Sequence, residues 1–252
     1  MRELIVDADV NDKYFIDHIY DKILPSVKSV GGLCVVAEAN ERSCLGIVVA
    51  DECTSALNRE LKALVAEVLA VGFKCRYLQE RIAVNADTLL GKTLFNTMCV
   101  FDSNYDANYI KRRIYDFEKI SLDGCYNFRI GEIKQKWDEV INLSNSYSGF
   151  LADKEVLYEF LVYLLEAIPS LADCITVVIS DDGKNFVLFN DDGKMLVKFN
   201  TYYKQYDIAE QIIFNLICFN PAVVKLCGKY KLLGNDFFNI ANRLFQVKEY
   251  IG

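Results

Sequence analysis

The chain has 252 residues, of which 52% are hydrophobic and 25% charged, so it is neither a disordered nor a collagen-like polymer and has room for one domain or two small ones. Its 28 Lys and Arg against 35 Asp and Glu give a net charge of −7, the wrong sign for a general nucleic-acid binder, which needs clustered positive charge. A single His excludes metal sites built on several imidazoles within the chain, and nine Cys without a Cys-x-x-Cys pair read as structural thiols in a reducing compartment.

The first residues, Met1 to Asp9, place acids where a signal peptide needs an apolar run. A β-like stretch over 3–10 is followed by Asn11 or Asp12 as a helix cap. Phe15, Ile16, Ile19, Tyr20 and Ile23 then recur at helical spacing, with Pro25 and Gly31-Gly32 as the expected stop. His18 lies at the border of that apolar face and reads as a packed or half-exposed residue. Strands over 33–37 and 45–50 complete a β-α-β-β segment assigned to 1–52.

Residues 53–172 read as helical. Thr54 or Ser55 caps a long helix reaching Tyr77, in which Gly72 weakens continuity. Helical signals recur over 87–101 and 105–118, with Asp102-Ser103-Asn104 as the turn between them. A helix over 128–143 and one capped by Asp153 and closed by Pro169 follow. Ile133, Trp137, Val140, Leu157, Phe160 and Leu164 are predicted to share one interhelical core.

Residues 173–252 change character. Cys174–Ile179, Phe186–Phe189 and Met195–Phe199 are β-type runs separated by two Asp-Asp-Gly-Lys turns, which predicts a three-strand meander. Helices over 206–218 and 236–245 and strands over 222–227 and 247–251 finish the chain. The fold class is therefore α+β: a small N-terminal β-α-β-β segment, a helical middle, and a C-terminal mixed sheet with two helices.

Two stretches offer chemistry. Ala86-Asp87-Thr88-Leu89-Leu90-Gly91-Lys92-Thr93 satisfies a relaxed P-loop pattern, in which Gly91, Lys92 and Thr93 would hold phosphate and metal, with Asp51 as the acid at a strand end. The same letters fit an amphipathic helix with Leu89, Leu90 and Leu94 on one face, and no strand precedes them. Arg112, Arg113 and Arg129 can bind an anion or pair with nearby Asp116, Glu118 and Glu132. Phe128 beside Arg129 is a pairing enriched at interface anchors.

From residue 120 onward the chain resembles the YtxC-like sporulation proteins of endospore-forming bacteria. The resemblance rests on Leu122-Asp123-Gly124 leading to Phe128-Arg129, Phe160-Leu161-x-x-Leu164-Leu165, the Asp-Asp-Gly meander, Ile212-Ile213-x-x-Leu216-Ile217, Pro221 before a Val-rich strand, and Leu244-Phe245. Where that family carries basic, His-bearing sequence, this chain has Cys227-Gly228-Lys229-Tyr230. The resemblance implies an intracellular protein linked to sporulation and brings no established activity. The expectation is thus a cytoplasmic, non-enzymatic interaction or regulatory protein with a protein partner. It needs no cofactor, nucleic acid or transmembrane segment, and is compatible with a homo-oligomer. A nucleotide- or phosphate-binding enzyme built on 86–93 is the alternative.

Overall fold

The structure is a computed structural model and describes residues 1–82, 88–146, 153–196 and 207–249. In chain order it contains β1 (Arg2–Asp9), α1 (Lys13–Ser29), β2 (Leu33–Ala39), β3 (Arg42–Val49), α2 (Asp51–Glu67), a π-helical turn (Val68–Phe73) and α3 (Lys74–Gln79). Then come α4 (Leu89–Val100), α5 (Ser103–Arg113), β4 (Lys119–Ser121), α6 (Leu122–Phe128), α7 (Gly131–Ser146) and α8 (Lys154–Glu166). The chain continues with β5 (Cys174–Ile179), β6 (Phe186–Phe189), β7 (Met195–Leu196), α9 (Ile208–Phe219), β8 (Val223–Gly228), α10 (Gly234–Leu244) and β9 (Gln246–Glu249). This is the α+β class expected from the pattern.

The contacts group these elements differently from the sequential division 1–52, 53–172 and 173–252. One compact unit joins Met1–Glu80 to Ser103–Ile141, and the other joins Arg81–Asp102 to Asn142–Gly252. The helical middle is not a layer of its own, because each of its amphipathic helices needs an apolar partner and the two sheets share them out. In particular α7 up to Ile141 counts with the first unit and α8 with the second, so the six side chains predicted to form one core do not do so within either. Ile133 and Trp137 are buried in the first and Leu164 in the second, while Val140, Leu157 and Phe160 are only partly buried.

In the first unit the sheet order is β2-β3-β1-β4, with β1 antiparallel to β3 and parallel to β4. Period-two alternation turns Leu4, Val6, Ala8, Leu45, Ile47 and Val49 inward. Phe15, Ile16, Ile19, Ile23 and Val27 of α1 and Leu57, Leu61, Leu64 and Val65 of α2 are buried in the same unit. Pro25 lies inside α1 rather than ending it. Both Pro25 and Asp21, whose carbonyl loses its helical donor, are exposed, so the missing bond falls on the solvent side of the helix. Gly31, at φ +69°, follows the end of the helix. Gly72 does not break the long helix either. The helix passes through a π turn there, and the Phe15 ring lies so close that a Cβ added at Gly72 would stand 2.1 Å from it, so only glycine fits.

The interior of this unit holds a buried ion pair. Lys74 is 1% exposed and Asp106 2%, with Nζ 3.3 Å from Oδ2. The Trp137 indole N–H donates to the same oxygen at 2.8 Å.

In the second unit the order is β7-β6-β5-β8-β9, antiparallel on the meander side and parallel from β5 through β8 to β9. Both Asp-Gly reversals form as expected, with Gly183 at φ +68° and Gly193 at φ +72°. The expected extensions over 197–199 and 250–251 lie outside the described residues. The α9 helix is buried along Ile212, Ile213, Leu216 and Ile217 and starts with a capping box between Asp207 and Glu210. Its C-cap Asn220 adopts φ +45° and donates through Nδ2 to the Leu165 and Ile168 carbonyls at 3.0 and 2.6 Å.

Lys74→Met should destabilise the protein by about 3–5 kcal/mol, because it removes one partner of a buried ion pair. Adding Asp106→Asn, which keeps an acceptor for the indole, should restore most of that loss. Urea unfolding followed by fluorescence of the single Trp137 measures both.

Candidate functional site

The P-loop-like letters form the start of a structural helix. Thr88 caps α4, its Oγ1 accepting the Gly91 N–H at 3.1 Å while its carbonyl accepts the Lys92 N–H at 2.9 Å. Thr93 Oγ1 donates back to the Leu89 carbonyl at 2.7 Å. Lys92 pairs with the buried Glu210, which also accepts the Asp207 N–H at 3.1 Å. The groups that would cradle phosphate are therefore already engaged within the second unit, and the amphipathic-helix reading holds for the described part. Ala86 and Asp87 lie outside the described residues. Asp51, exposed at the first residue of α2 in the first unit, lies 3.6 Å from Arg2.

Phe128 and Arg129 occupy a different setting. They end α6, with the Arg129 N–H donating to the Cys125 carbonyl at 2.9 Å. They line a cleft of about 510 Å³ together with Tyr115, Phe117, Lys119 and Ser121, all within the first unit. Phe128 is 88% exposed and Tyr115 78%, an unusual degree for large apolar rings. Arg129 is exposed and has no ion pair among the described residues. A second cleft of about 450 Å³ in the other unit is lined by residues including Glu166, Asn220 and Arg243.

The walls of the aromatic cleft are fixed from below. Asn58 Nδ2 donates to the Phe117 carbonyl at 2.7 Å, and Lys62 pairs with Asp116 at 2.8 Å, so α2 holds the 115–117 loop. Ser121 caps α6, its Oγ accepting the Gly124 N–H at 3.1 Å. Arg42 reaches the same hydroxyl at 3.1 Å, bonds Asp123 at 2.9 Å and pairs with the buried Asp7. Lys119 adds a second cation 3.4 Å from Asp7. Burial is the largest single influence on Asp123 and opposes its charge, but the Arg42 hydrogen bond and charge, a backbone N–H and the Ser121 hydroxyl together outweigh it and hold the carboxyl below its ordinary value of 3.8. Burial pushes the Cys125 thiol up, away from the thiolate form.

Arg112 and Arg113 were singled out with Arg129, and the structure separates them. Arg113 pairs with Glu132 of α7 at 3.0 Å and lies 4.5 Å from the Tyr109 ring centroid, while the Tyr109 hydroxyl donates to Glu132. The partner is thus on a neighbouring helix, not on the Arg113 helix itself. Arg112 is exposed on the last turn of α5 without an ion pair among the described residues. Neither lines the cleft. His18 is buried and faces Glu67 at 3.3 Å, with Lys22 on the same carboxylate oxygen at 2.9 Å.

Tyr115, Phe117 and Lys119 escaped the reading of the letters. The available signal was Tyr115-Asp116-Phe117, two aromatics in a stretch that breaks helical period directly after a basic turn. Among the described residues no helix is long and apolar enough to cross a membrane, and no three His, Cys, Asp or Glu gather as a metal site. Comparison with family models, curated proteins and solved structures gives no match to this chain.

Two outcomes follow. Lys92→Ala should destabilise the protein by about 1–3 kcal/mol by removing the cation from the buried Glu210, and ATP or GTP with Mg²⁺ should leave the melting temperature of the parent unchanged. Because the folded pKa of Asp123 is depressed, its contribution is complete above its ordinary value of 3.8 and is lost as pH falls through the lower folded value. Arg42→Gln should lower stability at pH 7 by about 2–4 kcal/mol and flatten the acid limb of the stability–pH curve, as read by denaturant unfolding from pH 7 down to pH 2.

Proposed function

We propose that this chain is an interaction protein whose docking surface is the cleft between the 115–117 loop and the end of α6, and that its occupant is an acidic peptide segment of a protein partner. The observation that carries this reading is the cleft itself. Two strongly exposed rings, Tyr115 and Phe128, share it with Arg129, a cation with no ion pair among the described residues. Aromatic residues and Arg concentrate binding energy at interfaces, the rings through buried area and Arg through bidentate hydrogen bonds to carboxylate. Holding the loop by Asn58 and the helix start by Ser121 supports the reading, because a pre-formed site loses less entropy on binding. Membership among YtxC-like sporulation proteins, and a regulatory role in spore formation, belong to the same proposal through the resemblance at Leu122–Arg129.

A phage-displayed random peptide library panned on the intact protein tests the surface. Selected peptides should combine Asp or Glu with an apolar residue. Their affinity should fall about tenfold or more in Arg129→Glu and in Phe128→Ala, with thermal stability unchanged and with Arg112→Ala binding like the parent. Equal selection by an Arg129→Glu/Phe128→Ala double variant would overturn the assignment.

A further inference from the structure

The strand β2 is an open edge of unusual character. It is seven residues long, Leu33–Ala39, and carries one charge, Glu38, and no Pro. The opposite edge, β4, has three residues. Leu33 is 75% exposed and Val35 62%. Solvent-facing edges ordinarily carry Lys, Pro or a bulge that discourages pairing, and this one has the composition of a strand that is covered.

The backbone of that edge can be placed. The Ile5 N–H donates to the Glu118 carbonyl on the β4 side. In an extended strand the N–H and C=O of one residue point the same way and alternate along the chain, so Leu4 and Val6 bond toward β3. Their partners on β3 are Ile47 and Leu45, which leaves Gly46, Val48 and Cys44 to bond toward β2. These pair with Val35, Leu33 and Ala37. The backbone groups of Cys34, Val36 and Glu38 therefore point outward from the sheet.

The geometry points to a second copy of this chain as the occupant, joined by antiparallel pairing of β2 with β2 about a two-fold axis at Val36. Of the symmetric registers, this alone engages all three outward residues. Cys34 faces Glu38 of the second copy, Val36 faces Val36, and Glu38 faces Cys34. The non-bonded positions are complementary in size, since Leu33 meets Ala39 and Val35 meets Ala37 across the axis. The pairing keeps the two Glu38 carboxylates from lying opposite each other, where like charge would repel. It also continues the exposed row of Leu33 and Val35 into a shared apolar strip. A symmetric, self-complementary patch is what a two-fold dimer requires.

Sedimentation velocity across the micromolar range should detect a reversible dimer of the intact protein. Val36→Pro removes an N–H that faces outward and leaves the β3 ladder intact. Val35→Lys places charge in the apolar strip. Each should raise the dimer dissociation constant about tenfold or more while the circular dichroism spectrum and melting temperature of the monomer stay as in the parent. Independently of those variants, Glu38→Cys should give a covalent dimer on mild oxidation through Cys34 of the second copy, because directly bonded partners lie about 5.5 Å apart at Cα, within disulfide reach. Adding Cys34→Ser should abolish it. A parent that stays monomeric throughout, including one that instead captures a foreign strand, overturns the proposal. A dimer that survives both substitutions and gives no Cys34-dependent crosslink does the same.

Discussion

The first unit carries a buried ion pair where three of its helices meet. Lys74 enters the interior from α3, and Asp106 of α5 and the Trp137 indole of α7 meet it there. Removing both charges from water costs several kcal/mol per ion, so the pair adds little net stability but tolerates few alternative arrangements. Three helices that are far apart in sequence are fixed in register by this one oxygen, Asp106 Oδ2. The segment between α5 and α7 carries the aromatic cleft, so the position of Tyr115 and Arg129 depends on that register. Phe15 occupies the space beside Gly72 and stacks on Phe73, which leaves no room for a side chain at position 72.

Local chemistry was legible in the letters at some caps and turns and not at others: Asp12 makes no side-chain cap to α1, Pro25 does not end that helix, and α2 starts at Asp51, ahead of the expected caps Thr54 and Ser55. Asp153 accepts the Glu155 N–H, as its place before an apolar periodic run implies. The two Asp-Asp-Gly-Lys turns reverse the chain because only a residue tolerant of positive φ fits there. The β-α-β-β start follows from an unambiguous change of period. Other features escaped because their cause is non-local. The strand β4 is only Lys119–Ser121 and exists because β1 offers it an edge more than a hundred residues away. The α5 helix ends at Arg113 rather than continuing to 118, because Asn58 and Lys62 of α2 hold the following loop in a non-helical path.

The candidate site divides the same way. Phe128 and Arg129 could be named from residue type, since an aromatic beside a cation has a recognisable use. Their neighbours could not, because Tyr115 and Lys119 reach the cleft only through the fold. The Arg42 network is a plainer case: Arg42, Asp7 and Asp123 are ordinary surface letters in sequence and form one connected, half-buried group in space. Lys92 teaches the converse. Gly-Lys-Thr has the letters of a phosphate loop, but its lysine answers a buried Glu210 from a helix 118 residues later.

The interleaving of the two units has a consequence for synthesis. Lys74 leaves the ribosome 32 residues ahead of Asp106, and the intervening stretch, Arg81–Asp102, belongs to the other unit. During that interval the chain holds the lysine of the buried pair without the Asp106 carboxylate. The Lys74–Asp106 contact can therefore close only after both segments have been made, and with it the register of α3, α5 and α7 that the pair and the Trp137 indole share.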